Sequence, residues 1–481
     1  MSSSSEDKLL LMESSVKGSD YDSTTHETDY NSTSAEEEHP HKTNDVQAII
    51  HLLKGNIGPG CLSLPWAFSQ LGIFWGCMGC LILNQWSTHN SWMTVVIKRR
   101  YPNQITTYPD VGTWAYGRGF GHYVRTCICI QQTAICTVYM SFVGANLLAV
   151  WSNGNSATTL HHVIVMTVAL PAVIGVSCLA SLKSMAPCSA WGGITLAVSL
   201  ALVGAVAAQD WSSRPLEAPS FHWSTSPLAM SAILFSFEGI SLVIPIENSM
   251  ARPQSFRTTF WIVKYVVTAV FCLVAAPCVL IFGHVSNGSI TAYLLSTNPQ
   301  GTQYWLLSLA NSFASLSVLL TYPLQMFPAL ELIGPLVNRR TKSHRNDNDD
   351  NNNDDNNNND EPTQGKNDSS SSSFEGDSPR LRLGYVLVTY LIAVAVPNVQ
   401  SIISLAGAIA GSSTALLIPP LVELEYLKRH HKERWYSQWR CYLIFVLAVV
   451  FMLTGAIASI LNIVQAYQNN NNNNSSTTTH A

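Results

Sequence analysis

Two stretches of this chain hold residue types able to do chemistry in an apolar setting. The first reads His51-Leu52-Leu53-Lys54-Gly55-Asn56-Ile57-Gly58-Pro59-Gly60-Cys61-Leu62-Ser63-Leu64-Pro65. Its three glycines and one proline between Gly55 and Gly60 predict that a helix stops and restarts there. The second runs from Ile233 to Pro245 and contains Phe235-Ser236-Phe237-Glu238-Gly239, a carboxylate in mid-run beside a glycine. A charge at membrane depth costs at least about 2.5 kcal/mol, so Glu238 needs a partner, a proton or a wet cavity.

A restart near Gly58 aims free N–H groups and the positive end of a helix dipole at any ligand, which suits a carboxylate. Pro59 fits the first turn but brings no N–H, so donors come from Ile57, Gly58, Gly60 and Cys61. Carbonyls freed near Gly55 and Ser236, with the Ser236 hydroxyl, suit an ammonium, and Phe235 and Phe237 are placed to roof it. A small zwitterion matches that pairing, in a small wet cavity between the breaks. The expected substrate residues are Gly55, Asn56, Ile57, Gly58, Gly60, Cys61, Phe235, Ser236, Phe237, Glu238 and Gly239. Plainer readings stay open: glycines that only permit close helix packing, and a Glu238 kept neutral by its surroundings.

His51 lies one turn before the first break, and histidine changes charge near neutral pH, which suits proton coupling with Glu238. A histidine bonded between helices or at the inner interface is the competing reading. Asn56 and the freed carbonyls also suit a sodium ion, so sodium coupling is the alternative mechanism.

The elements that must position these residues are membrane spans. The 481-residue chain is 47% hydrophobic and only 12% charged, half the usual share of a soluble chain. This predicts an all-α polytopic membrane protein. At about 20 apolar residues per span, eleven spans fall near 46–71, 74–97, 123–151, 159–180, 186–208, 226–246, 259–283, 304–333, 383–397, 399–423 and 439–467. Five spans separate the two breaks, so their helices enter from opposite sides, as in a transporter built of inverted repeats.

Charge placement agrees. With the N-terminus cytosolic, and leaving out four lysines up to Lys54, the inner links carry 21 of 22 basic residues, Lys264 among them; Arg214 alone lies outside. The sequon at Asn287 then faces outward and is a glycosylation candidate.

The division expected is a disordered cytosolic tail over 1–44, spans one to eight over 45–333, a low-complexity Asn/Asp cytosolic loop over 334–382, spans nine to eleven over 383–467, and an outer disordered tail over 468–481. Glu6 with Leu10 and Leu11 matches an acidic dileucine signal of the kind read by sorting adaptors. The eleven cysteines fall in or beside apolar runs and read as small buried hydrophobes, with no disulfide framework. Cys77 and Cys80 have CxxC spacing, but without a second pair this is a weak metal or redox signal. The chain offers no paired in-membrane aspartates and no zinc-protease motif, so no enzyme, cofactor, resident metal or nucleic-acid partner is expected.

The His51–Pro65 stretch, Phe235 to Asn248 with Pro245-Ile246-Glu247-Asn248, and Tyr322-Pro323-Leu324-Gln325 resemble the amino acid/auxin permease family. So do Val396-Pro397-Asn398, Ile402 to Ala408, and Pro419-Pro420. Within it the chain is most similar to proton-coupled amino acid transporters and vacuolar amino acid transporters, over about 46–467. The resemblance implies a LeuT-type fold of 5+5 inverted repeats plus one extra helix. It also implies substrate between the breaks of the first and sixth helices, and places His51 where the family has a histidine proposed for proton coupling. Pro59, where many relatives have threonine, departs from the pattern and affects the donor set.

The function expected is symport of small neutral amino acids with H+ by alternating access, in a vacuolar, lysosomal or plasma membrane. The alternatives are sodium coupling, or an amino-acid-sensing receptor that signals through its cytosolic tails.

Overall fold

The computed structural model describes residues 43–152, 159–179, 182–211, 219–237, 239–297, 299–349, 379–396, 399–430 and 435–478. Glu238, the dileucine group at Glu6, Leu10 and Leu11, and most of the Asn/Asp run lie outside the described residues. The described chain is helical, and nine of its helical segments are long and apolar enough to cross a membrane. It is a multi-pass membrane protein.

The first apolar region forms α1 (Asp45–Asn56) and α2 (Pro59–Arg100). Asn44 caps α1, its backbone N–H meeting the Gln47 side chain at 3.1 Å. Within α2 the helix turns at Gly72, whose φ of 77° is open to glycine and strained for other residues. A side chain there would also press on the Pro219 carbonyl at 2.9 Å. Gly72 is thus where the expected spans 46–71 and 74–97 divide.

Next come α3 (Tyr108–Tyr116), α4 (Arg118–Trp151), α5 (Thr159–Ser177) and α6 (Leu182–Asp210). The second broken region gives α7 (Ser226–Ser236) and α8 (Ile240–Ser249), followed by α9 (Phe256–Phe282) and the short α10 (Ile290–Ser296). α11 (Thr302–Asp349) packs along α6 and α4. α12 (Pro379–Ala395) has 17 residues and falls outside the nine. Last are α13 (Val399–Ala406), a π-helical stretch Gly407–Leu417, α14 (Ile418–Arg429) and α15 (Trp435–Thr478).

Water in the bilayer core is scarce, so loosened backbone must be satisfied by protein. Beside the π-helical stretch, Asn90 donates to the Ala415 carbonyl at 2.8 Å and Tyr108 to the Thr414 carbonyl at 2.7 Å. Small residues let helices approach there: a Cβ on Gly407 would fall 2.0 Å from the Ser231 carbonyl oxygen, and one on Gly455 2.3 Å from Ser231 Oγ. α15 lies at the edge, exposing Leu443, Val446, Leu447, Val450, Leu453 and Ile457 at helical spacing, a face suited to lipid.

One residue sits elsewhere than the charge count placed it. Lys264 does not belong to an inner link; it lies inside α9 and is 1% exposed.

Candidate functional site

Both breaks form. α1 ends at Asn56, Ile57 and Gly58 are extended, and α2 restarts with Pro59 in its first turn. α7 ends at Ser236, and α8 starts after Gly239. The residues between helices carry backbone groups that the helical ladders leave partly unsatisfied.

Some of those groups are already committed. The Ile57 N–H donates to the Leu53 carbonyl at 2.6 Å and the Cys61 N–H to the Gly58 carbonyl at 3.1 Å. Gly58 and Gly60 remain the candidate donors of the first break. The Gly55 carbonyl accepts from Gln325 of α11 at 3.2 Å. Ser236 Oγ donates back to the Ala232 carbonyl at 3.1 Å, which leaves its lone pairs for an incoming donor.

The two breaks touch. A Cβ on Gly60 would fall 2.6 Å from Ser236 Oγ and 2.9 Å from Ser236 Cα, so only glycine permits this approach. A Cβ on Gly58 would fall 2.5 Å from the Tyr139 hydroxyl of α4, and one on Gly239 3.0 Å from Asn56 Nδ2. The small wet cavity predicted between the breaks involves Glu238, which lies outside the described residues. Three spaces lined by described residues lie away from the breaks, one of about 590 Å³ beside Trp86, His89 and Arg440, one of about 570 Å³ beside Trp151, and one of about 170 Å³ beside Asp210.

Two buried ammonium groups bind the region together. Lys264 Nζ donates to Asn56 Oδ1 at 2.7 Å and to the Phe237 carbonyl at 3.1 Å, one acceptor from each break. The Asn56 amide in turn donates to the Leu52 carbonyl at 2.8 Å, which fixes its orientation. Lys54 Nζ reaches Ser317 Oγ at 3.1 Å, the Gly192 carbonyl at 3.2 Å and the Ile57 carbonyl at 3.4 Å.

The other predicted residues fall around this frame. His51, Cys61, Phe235 and Phe237 are buried; Phe237 packs on Phe271 with ring centres 5.0 Å apart. Gln132 of α4 bonds Ser241, the second residue of α8. Asn287 lies apart, in the segment before α10, with Oδ1 3.4 Å from the Ser289 N–H.

At the end of the bundle where α1 begins, Thr43 pairs with the end of α8. Its N–H donates to the Ser249 carbonyl at 2.7 Å, and its carbonyl accepts from the Ala251 N–H at 3.0 Å. Beside it Glu247, 1% exposed, binds Arg99 at 2.7 Å and Lys98 at 3.1 Å. These contacts tie the start of α1 to the end of α8, and α8 to the end of α2.

A family model described as transmembrane amino acid transporter protein matches residues 41–463. The chain belongs to this family. The match takes in both breaks and both buried lysines.

This transmembrane amino acid transporter is 26% identical over 460 residues to the proton-coupled amino acid transporter-like protein pathetic of Drosophila melanogaster, covering 90% of this chain and 88% of that one. It is 26% identical over 303 residues to vacuolar amino acid transporter 3 of Saccharomyces cerevisiae, covering 61% of this chain and 42% of that one. Vacuolar amino acid transporter 4 of the same yeast is 24% identical over 302 residues, covering 60% and 40%.

Three participants in the transporter's frame, Lys264, Tyr139 and Ser317, are not among the residues the sequence singles out for the site, and Gln325 enters there only as part of the Tyr322–Gln325 motif. Lys264 alone leaves a signal, a single cation inside the apolar run Trp261-Ile262-Val263-Lys264-Tyr265-Val266.

Proposed function

We propose that this chain carries small neutral amino acids with protons, by alternating access around the breaks between α1 and α2 and between α7 and α8. The observation that carries this reading is the Lys264 ammonium, which joins an acceptor of the first break to one of the second. Such a bridge links the halves at the point where a substrate must enter. The Gly58 and Gly60 N–H groups suit the substrate carboxylate, and Ser236 suits its ammonium. Glu238 and His51 serve proton coupling in this reading.

Sodium coupling is less well supported by the same geometry. A sodium ion in a broken helix takes carbonyl and amide oxygens. Here Asn56 Oδ1 accepts from Lys264 and the Ile57 carbonyl from Lys54. Fixed cations stand where a free one would bind.

Eleven spans follow if α2 is divided at Gly72 and the 17-residue α12 is included. Five-plus-five inverted repeats then put the breaks in the first and sixth spans, in a LeuT-type arrangement. Relatives named as vacuolar transporters favour a vacuolar or lysosomal membrane. Sorting through Glu6, Leu10 and Leu11 fits that address.

The test is uptake of a panel of radiolabelled amino acids into proteoliposomes, with and without an imposed pH gradient, in sodium or choline buffer. The reading predicts accumulation of small neutral amino acids that follows the pH gradient and survives choline. Loss of uptake in choline at fixed pH gradient would contradict it.

A further inference from the structure

α1 is a 12-residue half-helix cut off from the rest of its span by the break at Ile57 and Gly58. Lys54, two residues from its end, is 4% exposed. Its Nζ meets the Ile57 carbonyl at the break, the Gly192 carbonyl of α6 and the Ser317 hydroxyl of α11 at 3.1 to 3.4 Å. Three acceptors match the three N–H bonds of an ammonium. Ser317 Oγ itself donates to the Gly192 carbonyl at 2.6 Å, so the two receiving helices are joined at the same point.

The neighbouring glycines shape the seat. A Cβ at Gly192 would press on Thr321 Oγ1 at 3.0 Å and the Ser317 carbonyl at 3.2 Å, and one at Gly193 would lie 3.6 Å from Lys54 Cδ. α6 therefore lies close enough to receive the lysine stem. All three acceptors are neutral, so they hold the cation without the depth of a buried ion pair. Hydrogen bonds to a charged group contribute about 1.5–3 kcal/mol each, enough to set the position of the lysine.

We propose that Lys54 is a positioning residue whose ammonium ties the first half-helix to α6 and α11. Its release from Gly192 and Ser317 lets α1 swing away and opens the break from the end of the bundle where Thr43 and Glu247 lie. This rests on the reading that the chain works by alternating access around the first break.

The experiment uses a native thiol, so it needs no substrate. Cys61 is 0% exposed and stands just past the break. The full-length protein in lipid nanodiscs is treated with N-ethylmaleimide, and labelling of each cysteine is followed by peptide-resolved mass spectrometry. Lys54→Met keeps the apolar stem and removes the cation; it should raise Cys61 labelling at least about tenfold, as expected when a minor open state becomes a major one. Cys136 and Cys441, buried in other helices, should stay protected. Ser317→Ala, which deletes one acceptor, should give a smaller rise, and Lys54→Arg should restore part of the protection.

Unchanged Cys61 labelling in Lys54→Met overturns the proposal. So does equal exposure of Cys136 and Cys441, which would make Lys54 an ordinary prop of the whole fold. Because no uptake is measured, failure of the transport reading in proteoliposomes leaves this outcome separately readable.

Discussion

The Lys264 ammonium lies 2.7 Å from Asn56 Oδ1 and 3.1 Å from the Phe237 carbonyl, so one side chain of α9 clasps both broken helices. Asn56 is held in turn by the Leu52 carbonyl at 2.8 Å. A hydrogen bond to a charged group contributes about 1.5–3 kcal/mol. Asn56→Ala should therefore lower amino acid uptake by roughly 10- to 100-fold, with the protein still reaching the membrane. Uptake per transporter, normalised to immunoblot signal, measures this.

The close approach of the two breaks makes a sharper prediction at Gly60. Its Cβ would meet both the hydroxyl and the backbone of Ser236, at 2.6 and 2.9 Å. Gly60→Ala should abolish uptake. Adding Ser236→Ala removes the hydroxyl but leaves the clash with the backbone, so the double variant should stay impaired. Full recovery in the double variant would mean that the hydroxyl alone was the obstacle.

Glu247 ties α8 to the end of α2. Its buried carboxylate binds Lys98 and Arg99, which are 16% and 31% exposed. Breaking a buried ion pair costs about 3–5 kcal/mol, and the partly solvated partners reduce that to roughly 1–3 kcal/mol. Glu247→Gln should lower the thermal midpoint by several degrees, roughly as expected for a chain this long. A cysteine placed at Thr43 should also become more reactive. Fluorescence-based thermal unfolding in detergent and maleimide labelling supply the two readings.

Proton coupling is proposed to run through His51 and Glu238, and their variants should separate coupling from binding. His51→Ala should still exchange labelled for unlabelled substrate across the membrane, yet fail to accumulate it when a pH gradient is imposed. Glu238→Gln should reduce both strongly while leaving expression intact. Near-normal gradient-driven uptake by either variant would remove that residue from the mechanism.

Much of the frame is legible in the residues because glycine and proline act locally. The cluster Gly55 to Gly60 stops one helix and starts another within two residues, with Pro59 in the first turn of the second. Gly239 marks the other break in the same way.

Other features depend on which face of a helix turns inward, and spacing does not fix that. Lys264 reads as one more cation near the inner end of a span, but the packing of α9 aims it at Asn56. Tyr139 lies in an apolar run like many interior tyrosines; its place above Gly58 follows from how α4 crosses the first break. The π-helical turn at Gly407–Leu417 reads as ordinary helix, since the loosened carbonyls are satisfied from afar by Asn90 and Tyr108. Long-range partners of this kind leave no local mark.

A structure by electron cryomicroscopy with a transported amino acid at saturation bears most directly on the substrate site. The expected result is density for its carboxylate at the Gly58 and Gly60 N–H groups and for its ammonium at Ser236, with the two breaks moved apart. Density at another place in the bundle, with Gly60 and Ser236 still touching, would contradict the assignment of the site to the two breaks.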